Sequence, residues 1–164
     1  EVFWNDGLGF IFSTRSPVPY IHDQAGNLYY EDYEFTPGKD EVIRDGDDGY
    51  IVSYGAMLYR CIDAAARLRE DGIDVGVINK PTLNVQDYDM LEELSTAPFV
   101  LVAEAQNAAT GLGVRFGTWL LQHGFTGAYD HMGVTKEGHG GVYQQIPHQE
   151  LSPEHIIQTV RALT

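Results

Sequence analysis

Basic residues are scarce in this chain. Ten Lys and Arg stand against 24 Asp and Glu, giving a formal net charge of −14 with histidine neutral. Nucleic acids and anionic lipid surfaces are held through a basic footprint, so this imbalance argues against both partners. Cysteine is nearly absent. Cys61 stands alone, which excludes a disulfide within the chain; it falls on an apolar helical stripe and is expected to be a core thiol. No apolar run approaches the ~20 residues of a membrane span, and no charged-then-apolar start suggests a signal peptide. Neither a G-x-S-x-G nucleophile turn nor a P-loop occurs. The chain opens at Glu1 and not at methionine, and its first strand arrives as if mid-fold. That reads as a piece of something longer.

What is present is an ordinary globular composition. At 164 residues and 43% hydrophobic, there is material for one domain with a flanking segment. The pattern is organised around residues 49–84. Tyr50-Ile51-Val52 is a short apolar run ending at Ser53-Tyr54-Gly55. Apolar residues then recur at Met57, Leu58, Cys61, Ile62, Ala65 and Leu68, the spacing of an amphipathic helix. Gly72 ends that helix, and Val75-Gly76-Val77-Ile78 is a second buried strand. Two strands joined by such a helix make a βαβ crossover, which needs a sheet covered on both faces.

Upstream, residues 9–14 read as a strand that stops at Pro17 and Pro19. Residues 20–39 carry turn signals and tyrosines at 29, 30 and 33, as in a surface linker whose rings cover apolar area. Glu41–Arg44 is a brief strand, and the acidic turn 45–49 is expected to fold it as a hairpin onto residues 50–53. Downstream, a helix is expected near 86–95 with Tyr88, Leu91 and Leu94 buried. Phe99–Ala103 is a strand covered on both faces, and a helix follows with Val114, Phe116, Gly117, Leu120 and Leu121 inward. Residues 127–133 form a weaker strand and 134–150 a loop rich in Gly and His. A last helix opens at Ser152-Pro153-Glu154 with Ile156, Ile157, Val160 and Leu163 inward. The fold class is therefore α/β: a three-layer sandwich on a mostly parallel sheet of about five strands, with one antiparallel edge strand.

In such a sheet, ligands sit beyond the carboxyl ends of the strands. Glu104 ends a buried strand there and suits a general base, a cap for the next turn, or a subunit contact. Gly111-Leu112-Gly113 opens a helix and suits either an anion at its amides or close helix packing. His131, His139 and His148 lack the spacing of a zinc site. Arg15 stands at a strand end, where its fork suits a phosphate ester, or equally a surface carboxylate. These residues do not assemble a catalytic centre.

Four motifs in order carry a resemblance. Ser53-Tyr54-Gly55 after a strand, Ile73-Asp74-Val75 through Pro81-Thr82-Leu83-Asn84 with Asp87 beyond, Phe99 through Glu104, and Gly111-Leu112-Gly113 together resemble the C-terminal part of the thiamine-diphosphate-dependent transketolase family. Ala105 and Thr110 depart from the family's pattern at a Glu and a Gly. The resemblance implies residues 1–15 as the end of a preceding pyrimidine-binding domain, 16–39 as an interdomain linker and 40–164 as the C-terminal domain. It implies an intact cytoplasmic enzyme, homodimeric, that uses thiamine diphosphate with a divalent metal such as Mg to pass a two-carbon ketol unit between sugar phosphates. The metal-diphosphate motif and the activating carboxylate belong to other parts of the parent, so this piece alone is expected to be inactive and to bind no cofactor. By the same resemblance, Arg15 holds the phosphate of the substrate. Deoxyxylulose-phosphate synthase and the β-subunit of 2-oxo-acid dehydrogenases share the pattern. A non-catalytic anion- or subunit-binding α/β module is the alternative outside enzymes.

Overall fold

Alternation of buried side chains along the strands sets the architecture, a computed structural model describing residues 17–23 and 25–164. The strand expected at 9–14 lies outside the described residues. Five strands, β1 (Glu41–Arg44), β2 (Gly49–Ser53), β3 (Val75–Asn79), β4 (Phe99–Asn107) and β5 (Ala128–Val134), form one sheet in the order β1-β3-β2-β4-β5. All neighbours are parallel except β1, which runs antiparallel to β3 at one edge. Ile51, Val77, Phe99 and Leu101 point to one face, where they pack with α1 (Ala56–Glu70) and α5 (Pro153–Leu163). Val52, Ile78, Val100 and Val102 point to the other, against α2 (Tyr88–Leu94) and α3 (Leu112–Gln122). This is the expected α/β sandwich, with β4, between β2 and the edge strand β5, fully buried from Phe99 to Glu104. Cys61 sits in the core of α1, where burial pushes its thiol up to about 12.

The structure corrects four local expectations. β1 makes no hairpin with β2. It pairs β3, with Val42 opposite Ile78, and the acidic turn crosses the start of β3 instead. Asp48 N–H donates to Asp74 O at 3.0 Å, and Asp74 N–H donates to the Asp48 carboxylate at 2.7 Å. Gly46 passes so close that a Cβ there would lie 2.1 Å from Gly76 N. A parallel βαβ pair leaves β3 with one free edge, and β1 takes it. In α2 the buried residues are Met90, Leu91 and Leu94, while Tyr88 is exposed. In α3 they are Leu112, Gly113, Phe116, Trp119 and Leu120, with Val114 and Leu121 exposed. The buried stripe differs from the expected one because apolar residues occupy both sides of that helix. The segment expected as a loop contains a further short helix, α4 (Val142–His148), closed by an αL residue at Glu150.

The tyrosines of the segment before β1 lie where a covering role requires. Tyr29 and Tyr30 pack on the core, and the Tyr29 phenol donates to Val42 O at 2.6 Å. Ser152 precedes α5 with extended backbone, but its hydroxyl pairs with His155 Nδ1 at 2.8 Å and not with a helix amide. That helix start contributes to the fold's acid response. The Ser152 hydroxyl, then the Arg67 guanidinium 2.9 Å away, hold the Glu154 carboxyl down to about 2. Its stabilising contribution is present above the ordinary glutamate range and is lost as pH falls through about 2. Glu154→Gln is therefore expected to flatten the dependence of urea-unfolding midpoints on pH between about 4.5 and about 2. An unaltered slope would assign the acid response elsewhere.

Candidate functional site

The carboxyl ends of β2, β3 and β4 meet the loops singled out from the sequence, and at their centre is Glu104. Its side chain is fully buried. Oε2 accepts from Leu112 N–H at 2.9 Å and Oε1 from Gly113 N–H at 2.8 Å. The Tyr54 phenol donates to Oε2 at 2.7 Å, and burial, with that carboxylate beside it, raises the Tyr54 pKa strongly. The amides opening α3 thus hold an anion, and the anion is internal. A carboxylate at this end also complements the helix dipole. Gly111 is required for the approach, since a Cβ there would lie 2.3 Å from the Glu104 carboxylate. Gly113 is equally constrained, its missing Cβ 2.5 Å from that of His131. Both readings of this turn, anion holding and close packing, therefore meet in one arrangement. Of the roles open to Glu104 from sequence, capping is the one its hydrogen bonds fulfil.

The histidines separate. His131 Nε2 lies 3.1 Å from Ala108 O, whereas the rings of His139 and His148 are 5.2 Å apart. Among the described residues no three His, Cys, Asp or Glu side chains gather as metal ligands. Arg15 lies outside the described residues, so its expected contact with a substrate phosphate stays with the resemblance. A cleft of about 760 Å³ opens at this edge, lined by Tyr30, Tyr33, Phe35, Tyr54, Tyr59 and Gln106 among others. Glu41 lies in its wall, accepting from the Tyr30 phenol at 2.6 Å, from the Tyr33 phenol and from Asn79 Nδ2 at 2.8 Å.

Sequence reasoning missed Lys80. Its ammonium is completely buried, 2.8 and 3.1 Å from the two Asp40 oxygens and 2.9 Å from Val85 O. It also lies 5.9 Å from the Phe116 ring centre and 5.5 Å from that of Trp119. Burial pushes the Asp40 carboxyl up to about 6 against the pull of that ammonium. Asp87 continues the network, accepting from Asp40 N–H at 2.9 Å and Lys39 Nζ at 3.0 Å. A lysine after a strand and before a proline reads as surface, and its partner lies 40 residues upstream. No local signal marks the pair.

The sheet order, the Glu104 cap and the glycine turn sit in a fold shared with known proteins. The family model described as "Transketolase, C-terminal domain" matches residues 38–156. The chain belongs to this family. Its relatives include a subunit of the apulose-4-phosphate transketolase of Actinobacillus succinogenes, 30% identical over 81% of this chain and 41% of the relative. The 1-deoxy-D-xylulose-5-phosphate synthase of Geobacillus thermodenitrificans is 30% identical over 79% of this chain and 21% of the relative. The beta subunit of the pyruvate dehydrogenase E1 component of Staphylococcus epidermidis is 36% identical over 71% and 39%. This transketolase-family chain therefore spans less than half the length of these relatives. Among solved structures, one titled "Split gene transketolase, inactive beta4 tetramer" superposes with a TM-score of 0.81 at 24% identity, covering 91% of this chain and 47% of that one. At that identity the match establishes the fold alone.

Thiamine diphosphate needs a metal-held diphosphate. The described residues of this family member do not fit it: the α3 amides are occupied by Glu104, and no ligand cluster stands near.

Proposed function

We propose that this chain is the C-terminal domain of a transketolase-like enzyme that transfers a two-carbon ketol unit between sugar phosphates. In this reading, residues 1–15 close a pyrimidine-binding domain, 16–39 link the domains and 40–164 form the C-terminal domain. The piece is chiefly structural. It contributes assembly contacts in a homodimeric enzyme and, through Arg15, a contact to the substrate phosphate. Thiamine diphosphate, bound elsewhere in the intact protein, supplies the carbanion chemistry. The observation that carries the reading is the internal occupation of the strand-end site: the carboxylate and amides positioned for chemistry are bonded to one another. Two kinds of support come from relatives. One is a transketolase subunit and one is the beta chain of a larger component.

The deoxyxylulose-phosphate synthase and pyruvate dehydrogenase relatives keep a second reading open, in which the donor is a 2-oxo acid. The test combines this chain with the remaining portion of its enzyme, thiamine diphosphate and Mg, and compares sugar-phosphate and 2-oxo-acid donors. Ketol transfer by the combination and none by the chain alone is expected. Activity with a 2-oxo acid only would favour the second reading. Turnover by the chain alone would refute both.

A further inference from the structure

The cleft beside the strand ends carries a charge pattern that the proposed function leaves unused. Its volume of about 760 Å³ falls within the range of small-molecule sites. The rings of Tyr30, Tyr33, Phe35, Tyr54 and Tyr59 line it. Tyr30 and Tyr33 stand edge to face, ring centres 4.7 Å apart and planes at 80°, so they form a corner and not a flat wall. Among the described residues, Glu41 is the one charged group in this wall, and it makes no ion pair. Its hydrogen bonds come from neutral donors, the two phenols and the Asn79 amide. Oε1 takes only the Tyr33 phenol and so keeps acceptor capacity. Burial, then the bond to Glu41, raises the pKa of both phenols. They stay neutral, and the carboxylate is left uncompensated.

We infer that this cleft binds an organic cation, an amine or quaternary ammonium carried on an apolar body. A cation over aromatic faces is attracted by the ring quadrupole, and aromatic cages recognise ammonium groups in this way. The Glu41 carboxylate adds a direct charge pairing, while Ile21, Leu58 and Pro81 supply apolar wall for the body. A phosphate ester is the opposite case. It would meet Glu41 with like charge, in a wall holding no Lys, Arg or His among the described residues. A bare metal ion fits no better, since no three ligating side chains gather among those residues. The cleft therefore differs in chemistry from the sugar-phosphate contact proposed through Arg15, and it stands or falls apart from the proposed function.

Titration of the full chain with choline, followed by amide NMR, tests it. The comparison is the uncharged isostere of choline, in which carbon replaces the quaternary nitrogen. Choline is expected to bind saturably, about 10-fold tighter than the isostere, with shifts at the cleft residues Gly55, Asn79 and Ala105. Glu41→Gln conserves shape and removes the charge; it is expected to weaken choline about 10-fold and to leave the isostere unchanged. Phe35→Leu keeps an apolar side chain but removes a ring face, and is expected to weaken choline about 3-fold or more, again sparing the isostere. Tyr88→Leu, at an exposed ring outside the cleft, is expected to change neither. Because Glu41 also anchors two phenols, circular dichroism accompanies that variant, and Phe35→Leu carries the test if its fold is lost. No saturable binding of choline, or equal affinity for choline and the isostere, overturns the inference. So does choline binding that a folded Glu41→Gln or Phe35→Leu leaves intact, or that Tyr88→Leu weakens as much.

Discussion

Lys80→Met is expected to destabilise the protein by about 3–5 kcal/mol, the range for removing one partner of a buried ion pair. The methionine fills the space beside Phe116 and Trp119, but Asp40 is left buried with no cation at 2.8 Å. Asp87, bonded to the Asp40 N–H, adds a second negative charge to the same network. The lost Val85 O contact further frees the loop between β3 and α2. Because the cost lies in the orphaned carboxylate, the double replacement Lys80→Met with Asp40→Leu is expected to recover most of the stability. Urea-unfolding midpoints of the two variants and the parent decide it. A single variant within about 0.5 kcal/mol of the parent, the usual size of a surface change, would mean that the ammonium reaches water.

Glu104→Gln is expected to cost about 2–4 kcal/mol, for a different reason. The substitution conserves shape but turns one acceptor oxygen into an NH2 group facing a helix amide. Either Leu112 N–H or Gly113 N–H then loses its partner inside the protein, at about 1–3 kcal/mol. The remaining bonds lose their charge assistance, and the helix dipole loses its complement. Amide hydrogen exchange gives a local readout: protection at Leu112 and Gly113 should fall more than protection in α1. Uniform loss of protection across both helices would contradict a local capping role. Full retention at those two amides would show that Glu104 does not hold them.

The layered α/β fold was legible because its strands announce themselves twice over. Phe99–Ala103 is a continuous apolar run, and it proved buried on both faces. The α1 stripe named Met57, Leu58, Cys61, Ala65 and Leu68, all buried, and Ile62, which is half-buried against the same core. Local pattern failed where the deciding contact was distant or where both faces of a helix were apolar. Nothing in residues 45–49 says that the turn must cross Val75 and Gly76, so a hairpin was the natural reading and β1 went to the wrong neighbour. Val114, Leu121 and Tyr88 are apolar or aromatic without being interior, and periodicity alone cannot tell a core position from an exposed one. At the site, Glu104 and the Gly111 turn were visible as candidates from their place at a strand end. Their mutual bonding was not, since it depends on a helix start folding back over a strand end. Lys80 was invisible for the same kind of reason, with its partners at Asp40 and Val85.

The central claim is that this family member is a scaffold domain whose strand-end donors are already satisfied by its own side chains. Isothermal titration of the full chain with thiamine diphosphate and Mg tests this most directly. The account predicts no saturable heat from the chain alone and restored binding once the rest of the enzyme is present. Saturable binding by the chain alone, weakened by Glu104→Gln, would contradict it.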